Sequence, residues 1–206
     1  MTEGAQPLPG SALRQHKQTL RKDILSQRAA LDHAERSRLS HAITASLLSL
    51  PEFGRARCVL AYLSFGSEFD TSEFVRALQS RGCALVLPRI DLARRNLSLH
   101  RVDDPELETV PGVWGIREPD PQRCPQAVLG EIDAVLVPGV AFTRGGGRLG
   151  YGGGFYDALF RDWRSHPPLI APAFELQLVE ELPLGPDDQP IDAVVSEANT
   201  YRRGAS

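Results

Sequence analysis

Between Val135 and Asp157 the chain reads VLVPGVAFTRGGGRLGYGGGFYD, a run in which glycines alternate with a guanidinium, Arg148, and with Tyr151, Phe155 and Tyr156. Glycine lacks Cβ, reaches positive φ cheaply and lets main chain approach a ligand closely. The run follows an apolar strand and precedes a helix expected to open at Phe155, whose first amides and positive dipole end favour anions. A flexible linker would not place an arginine and several aromatics among its glycines. The chemistry these residue types suit is phosphate binding.

Two common phosphate loops do not describe it. Gly145, Gly147 and Gly150 satisfy the literal G-x-G-x-x-G spacing, which a nicotinamide-dependent oxidoreductase would use. That fingerprint, however, opens its helix within the motif and carries an acidic residue about twenty positions on. Here that stretch, Leu169 to Ala173, is apolar and contains a proline. The G-x-x-x-x-G-K-[ST] pattern is absent from the sequence.

Further charged and aromatic residues lie where chemistry could use them. On a helix turning about 100° per residue, Leu13, Leu20, Ile24 and Leu31 form one stripe, and Arg14, Lys17, Arg21 and Arg28 form a second beside it. Cations bordering a buried face keep their stems packed and their tips free. Glu68, in LSFGSEFDT, follows an apolar strand ending at Leu63. Asp70 is placed to cap the next helix, which leaves Glu68 available. Trp114 sits in a Pro/Gly-bounded loop, where it either anchors the loop or stacks on a flat ligand. Asp157 falls in the first turn of its helix, where a carboxylate is favourable on dipole grounds alone.

RLGYGGGFYD, preceded by VPGVAF, resembles the signature of the 5-formyltetrahydrofolate cyclo-ligases, also called 5,10-methenyltetrahydrofolate synthetases. KQTLR, LSFGSEFDT, LVLPR, VWGIREP and DDQPID extend the resemblance from about Leu13 to Val195. It implies an ATP-dependent ligase acting on 5-formyltetrahydrofolate with Mg²⁺. Lys17, Arg21 and Arg148, with Leu149, Gly150, Tyr151, Gly152, Gly153, Gly154, Phe155 and Tyr156, would bind nucleotide, Arg148 also acting in catalysis. Leu63, Glu68, Trp114, Phe155 and Tyr156 would contact folate. Asp157 and Asp188 would meet the metal, with Asp187 the alternative to Asp188. Phe155 stands where tyrosine is usual, Gly153 where some members place lysine, and Ala158 where arginine is frequent. These departures leave a non-catalytic nucleotide or folate binder as the competing reading.

The elements expected to hold these residues alternate. Helices are expected over 12–31 and 34–50, the second opened by Asp32 and Glu35 as a capping pair. Strands are expected at 57–63, 84–87, 97–101, 132–137, 169–174 and 192–195. A helix capped by Asp70 and Glu73 runs to Gly82, and another spans 155–163. That alternation means an α/β single domain with a mostly parallel sheet flanked by helices; the resemblance makes it Rossmann-like, of the NagB/RpiA/CoA transferase-like kind. Ligands in such sheets bind beyond the strands' carboxyl ends.

At 206 residues and a formal net charge of −3, one domain without a general nucleic-acid field is expected. Residues 1–10 and 201–206 are expected to be tails around a domain spanning 11–200. Cys58, Cys83 and Cys124 lack C-x-x-C spacing and read as reduced thiols of a cytoplasmic protein. The five histidines show no zinc-ligand spacing. No run reaches membrane-spanning length, and the start lacks a secretory signal pattern. A monomer binding small molecules is expected.

Overall fold

The computed structural model describes residues 10–163 and 165–204; the expected N-terminal tail, apart from Gly10, lies outside them. The chain opens with α1 (Gly10–Ala29) and α2 (His33–Ser49), joined by a tight turn. Asp32 caps α2 by accepting the Glu35 amide, whereas the Glu35 side chain turns to Arg38 instead of returning to the cap. A single-turn helix α3 (Pro51–Gly54) leads into β1 (Cys58–Leu60). Then come α4 (Ser72–Ser80), β2 (Ala84–Asp91), β3 (Asn96–Val102) and the single turn α5 (Pro105–Glu108). The α4 cap is Thr71; Asp70, one residue earlier, receives the Ser72 amide. A small hairpin, β4 (Thr109–Pro111) and β5 (Arg117–Pro119), precedes β6 (Ala134–Leu136). The glycine segment contains β7 (Ala141–Phe142) and β8 (Arg148–Leu149) before α6 (Phe155–Asp162). Finally β9 (Leu169–Pro172), β10 (Ala193–Val195) and β11 (Thr200–Arg202) complete the chain.

Seven strands form one sheet in the order β11-β10-β9-β6-β1-β2-β3. The inner five are parallel, and both edge strands are antiparallel to their neighbours. The sheet is therefore mostly parallel, as expected. The β2–β3 pair is a long hairpin, reaching beyond the expected strands. Tyr201 and Arg202, expected in a tail, pair with β10 instead: Thr200 to Arg202 supply an edge that alternation alone did not announce.

Side chains alternate between two buried layers, because successive strand residues face opposite ways. Val59, Leu136 and Ile170 join Leu39, Ile43, Leu47, Phe74 and Leu78 on one face. Leu60, Val135 and Ala171 join Leu159, Phe160 and Trp163 on the other. Burying both faces requires continuous apolar strands, which is what β1, β6 and β9 carry. Ile24 of α1 enters a third cluster with Val140, Ala141 and Leu149, docking α1 on the β7–β8 hairpin.

The connectivity fixes where a ligand fits. From β1 the chain passes through α4 to β2 on one side; from β6 it passes through α6 to β9 on the other. Adjacent β1 and β6 thus flank the point where strand order reverses, and the crevice beyond their carboxyl ends is the natural binding place. Residues 61–71 and 137–154 are the loops that leave those ends. No described helix is long and apolar enough to cross a membrane. All three cysteines are buried and unpaired, and burial pushes each thiol up from its ordinary value.

Candidate active site

A cavity of about 990 Å³ opens at this switch point, lined by α1, the two crossover loops, β2 and the Trp114 loop. One wall is the glycine segment, which the structure divides into two differently bonded parts. Gly145 to Gly147 form the turn of the β7–β8 hairpin: the Gly147 amide donates to Thr143 Oγ1 at 2.9 Å, and Gly146 accepts from the Ile191 amide. Gly146 has φ +89°, and a Cβ there would come within 2.4 Å of Ile191 O. Two glycines of the literal G-x-G-x-x-G match therefore make a packed turn, which removes the dinucleotide reading.

Gly150 to Gly154 behave otherwise. None of the five amides in this stretch has a hydrogen-bond partner among the described residues. Gly152 (φ +104°) and Gly154 (φ +71°) alternate with residues of negative φ, and Gly154 is the left-handed cap of α6. Alternation of that kind turns successive N–H groups toward one point and makes an anion-binding concavity. At Gly150 a Cβ would meet the Arg148 guanidinium at 2.9 Å, so the bare backbone lets that side chain reach the site. At Gly153 it would meet the Phe155 ring at 2.5 Å, so a side chain there requires Phe155 to move.

Cations surround the nest. Arg148 is 4% exposed; one terminal nitrogen donates to Asp157 Oδ1 at 2.6 Å, another reaches Pro138 O at 3.4 Å, and its buried Nε has no partner among the described residues. Lys17 meets Asp188 Oδ2 at 2.5 Å, and Arg21 donates to Gly150 O at 2.7 Å. Desolvation pulls Arg21 below its ordinary value, against the attraction of Asp188 and Asp157. Both carboxylates thus lie near one cationic cluster. Asp157 Oδ1 also receives the Gln189 amide, and Asp188 Oδ2 the Gly185 amide, leaving the second oxygen of each without a donor among the described residues. Asp187 instead faces Arg161 at the exposed rim, which separates it from Asp188.

Beside the nest and Arg148 the cavity wall is apolar and aromatic. Trp114 is 70% exposed, has φ +58°, and its ring lies 6.3 Å from that of Phe155. It anchors no core, so of its two sequence readings the structure retains the open stacking face. Leu63, Phe155 and Tyr156 line the same wall. The Tyr156 hydroxyl is buried and unpartnered, and burial raises it well above its ordinary value. Glu68 is buried where it lines the cavity, and desolvation raises its carboxyl above its ordinary value.

Every residue expected at the site lines this cavity except Leu149. Its side chain is buried with Ile24 and Val140 in the hairpin cluster, so it reaches no ligand space. Two contributors were not singled out. Arg28 belonged to the cationic stripe, yet it is buried at the site, donating to Ser67 Oγ and to the Tyr151 hydroxyl. Glu118, in VWGIREP, is buried beneath the Trp114 loop, accepts the Ile90 amide, and would meet any Cβ added at Gly112 at 2.3 Å. The Gly-x-x-x-x-x-Glu spacing carried that signal only in hindsight of the β4–β5 hairpin.

The arrangement sets a run of unpartnered amides and several cations beside an aromatic wall whose Trp114 and Phe155 rings are tilted 59° to each other. Known proteins share its sequence and shape. A model of the 5-formyltetrahydrofolate cyclo-ligase family matches residues 13–197. The 5-formyltetrahydrofolate cyclo-ligase of Mycolicibacterium smegmatis is 32% identical over 91% of this chain and 95% of that protein. The Escherichia coli K12 protein of the same name is 30% identical over 86% and 98%. The NMR structure of Aquifex aeolicus 5,10-methenyltetrahydrofolate synthetase superposes with a TM-score of 0.80 at 34% identity, covering 92% of this chain and 94% of that one. This chain belongs to the 5-formyltetrahydrofolate cyclo-ligase family.

Proposed function

We infer that this protein cyclises 5-formyltetrahydrofolate to 5,10-methenyltetrahydrofolate with conversion of ATP to ADP and phosphate, as a ligase forming a C–N bond. The observation that carries the reading is the unpartnered amide run from Gly150 to Gly154, set between Arg148 and the aromatic wall. A formamide oxygen is a poor leaving group. Transfer of the γ-phosphoryl to that oxygen breaks the β–γ bond of ATP, releases ADP and gives an imidate phosphate; N10 of the same folate attacks the activated carbon and gives up its proton, the ring closes, and phosphate departs with the former formyl oxygen. The protein's part is positioning and charge stabilisation, as in phosphoryl transfer generally. No side-chain nucleophile is needed.

In this assignment the nest amides hold the polyphosphate, Lys17 and Arg21 its α/β side, and Arg148 the γ-phosphoryl being transferred. Trp114, Phe155, Tyr156 and Leu63 receive the pterin, with Glu68 at its polar edge. The donor set suits Mg²⁺, which takes one or two carboxylates and fills its octahedron with phosphate oxygens and water. The free oxygens of Asp157 and Asp188 would hold it, and the ion would supply neutralisation of the phosphate charge. Phe155 provides ring surface without the usual tyrosine hydroxyl. The buried thiols fit a reducing, cytoplasmic setting, and the site is complete within one chain, as a monomer requires.

Protein mixed with MgATP and 5-formyltetrahydrofolate should generate the near-ultraviolet absorbance of the methenyl product. Tight binding of both ligands without that signal would make the protein a non-catalytic binder. Lys17→Ala should raise the KM for ATP about tenfold and change kcat little, since a lost contact to the α/β phosphates weakens ground and transition states alike. Trp114→Ala should raise the KM for 5-formyltetrahydrofolate about tenfold, the scale of one stacking contact with its buried area. With the ring so exposed, its thermal unfolding midpoint should stay unchanged.

A further inference from the structure

Tyr151 lies in the glycine nest between Gly150 and Gly152, yet its hydroxyl is engaged away from the amides. It donates to Glu68 Oε1 at 2.5 Å and accepts from Arg28 at 2.7 Å. The other Glu68 oxygen accepts the Phe65 amide at 3.0 Å. Both oxygens thus accept hydrogen bonds from protein groups, and Glu68 also lines the cavity. The Tyr151 ring completes the connection, 5.3 Å from Phe65 and beneath the Arg28 guanidinium at 5.8 Å. One side chain thus joins three elements: α1, the loop after β1, and the loop that presents the amides.

We propose that Tyr151 is a positioning residue that ties the phosphate nest to the Glu68 carboxylate, so that nucleotide and folate each tighten the binding of the other. The inference rests on the ligand assignment above. Gly150, Gly152, Gly153 and Gly154 leave the nest backbone little stiffness of its own. An anion gathered by those amides fixes the backbone of Tyr151, and the hydroxyl then fixes the orientation of Glu68. In the reverse direction, folate bound to Glu68 holds Tyr151 and preorders the nest. Such coupling is reciprocal by thermodynamic necessity.

The test measures 5-formyltetrahydrofolate binding by calorimetry, with and without saturating Mg²⁺ and a non-hydrolysable ATP analogue, in wild type and Tyr151→Phe. The ring and its contacts survive in the variant; only the hydroxyl goes. In the wild type the analogue should tighten folate binding by about fivefold or more, and in the variant by less than twofold. The readout is this ratio, which a general loss of binding or stability leaves alone. A second readout is the acid limb of kcat/KM for 5-formyltetrahydrofolate. The groups facing Glu68 are Arg28 of α1, Tyr62 after β1, Tyr151 of the nest and Tyr156 of α6. Tyr151 is the strongest of the influences that lower the Glu68 pKa against burial, so the limb should move to higher pH in Tyr151→Phe. A wild-type ratio of one, or an unchanged ratio in the variant, overturns the proposal. If product forms in either case, the functional reading stands without it; if the wild type binds neither ligand, both fall.

Discussion

Arg148→Ala should lower kcat by at least about 10³-fold at saturating ATP and 5-formyltetrahydrofolate, the scale on which a guanidinium at a transferring phosphoryl group acts. The geometry makes this residue different from the other cations. Arg148 is almost wholly buried, gripped by Asp157 on one terminal nitrogen, with its Nε–H unpartnered. A buried donor without an acceptor is costly, and a phosphoryl oxygen delivered by the nest beside it would remove that cost. Charge stabilisation by a fixed, desolvated donor is worth most in the transition state, so the loss should appear in kcat and not in KM alone. Arg148→Lys should recover little, because one ammonium cannot hold Asp157 and a phosphoryl oxygen with the planar fork of a guanidinium. Absorbance of the methenyl product measures turnover, and thermal unfolding checks the fold. Turnover of Arg148→Ala within tenfold of wild type would remove Arg148 from the reaction.

The parts of this site that were legible in the sequence are those encoded locally. An apolar VLV followed by small residues and Phe155 dictates strand, loop and helix, and the capping residue Asp32 marks α2 from its own side-chain chemistry. Alternation of helices and buried strands fixed the parallel centre of the sheet. Features that depend on pairing across the chain were not legible. Gly145 to Gly147 look like ligand-binding glycines in isolation; only the approach of Ile191 and the return of β8 onto β7 turn them into a hairpin. The same hairpin takes Leu149 out of the site. Thr200 to Arg202 form β11 because β10 has an open edge, a fact no local pattern contains. Arg28 is the instructive case among the side chains. Its helical stripe placed it correctly beside the buried face, but its role follows from Tyr151 and Ser67, which lie 123 and 39 residues further along the chain.

Glu68→Ala should reduce kcat/KM for 5-formyltetrahydrofolate by about 10³-fold, because a site built to bond a polar edge discriminates strongly when that partner is missing. The damage extends beyond the ligand. Removing the carboxylate leaves the Phe65 amide and the Tyr151 hydroxyl without their acceptor, and the Arg28 guanidinium, 2% exposed, without a nearby counter-charge. Groups orphaned in this way cost about 1–3 kcal/mol, so the unfolding midpoint should fall as well. Glu68→Gln removes the charge and the titration at nearly unchanged shape, and because its amide offers one acceptor oxygen in place of two it keeps only one of the two hydrogen bonds. Its signature is in the pH dependence of stability. Burial raises the Glu68 pKa above the ordinary glutamate value of 4.5, with Tyr151, the Phe65 amide and Arg28 opposing the shift. A carboxyl with a raised folded-state pKa stabilises the fold below the unfolded value, and that contribution is lost as pH rises through the folded one. Denaturant midpoints should therefore show the wild type losing stability relative to Glu68→Gln as pH climbs from 4.5 through the raised value. Below 4.5 the difference should be constant. A difference that stays flat across the whole range would mean that Glu68 is not desolvated in the folded protein, and that the cavity reaches water at the point where the pterin edge is assigned.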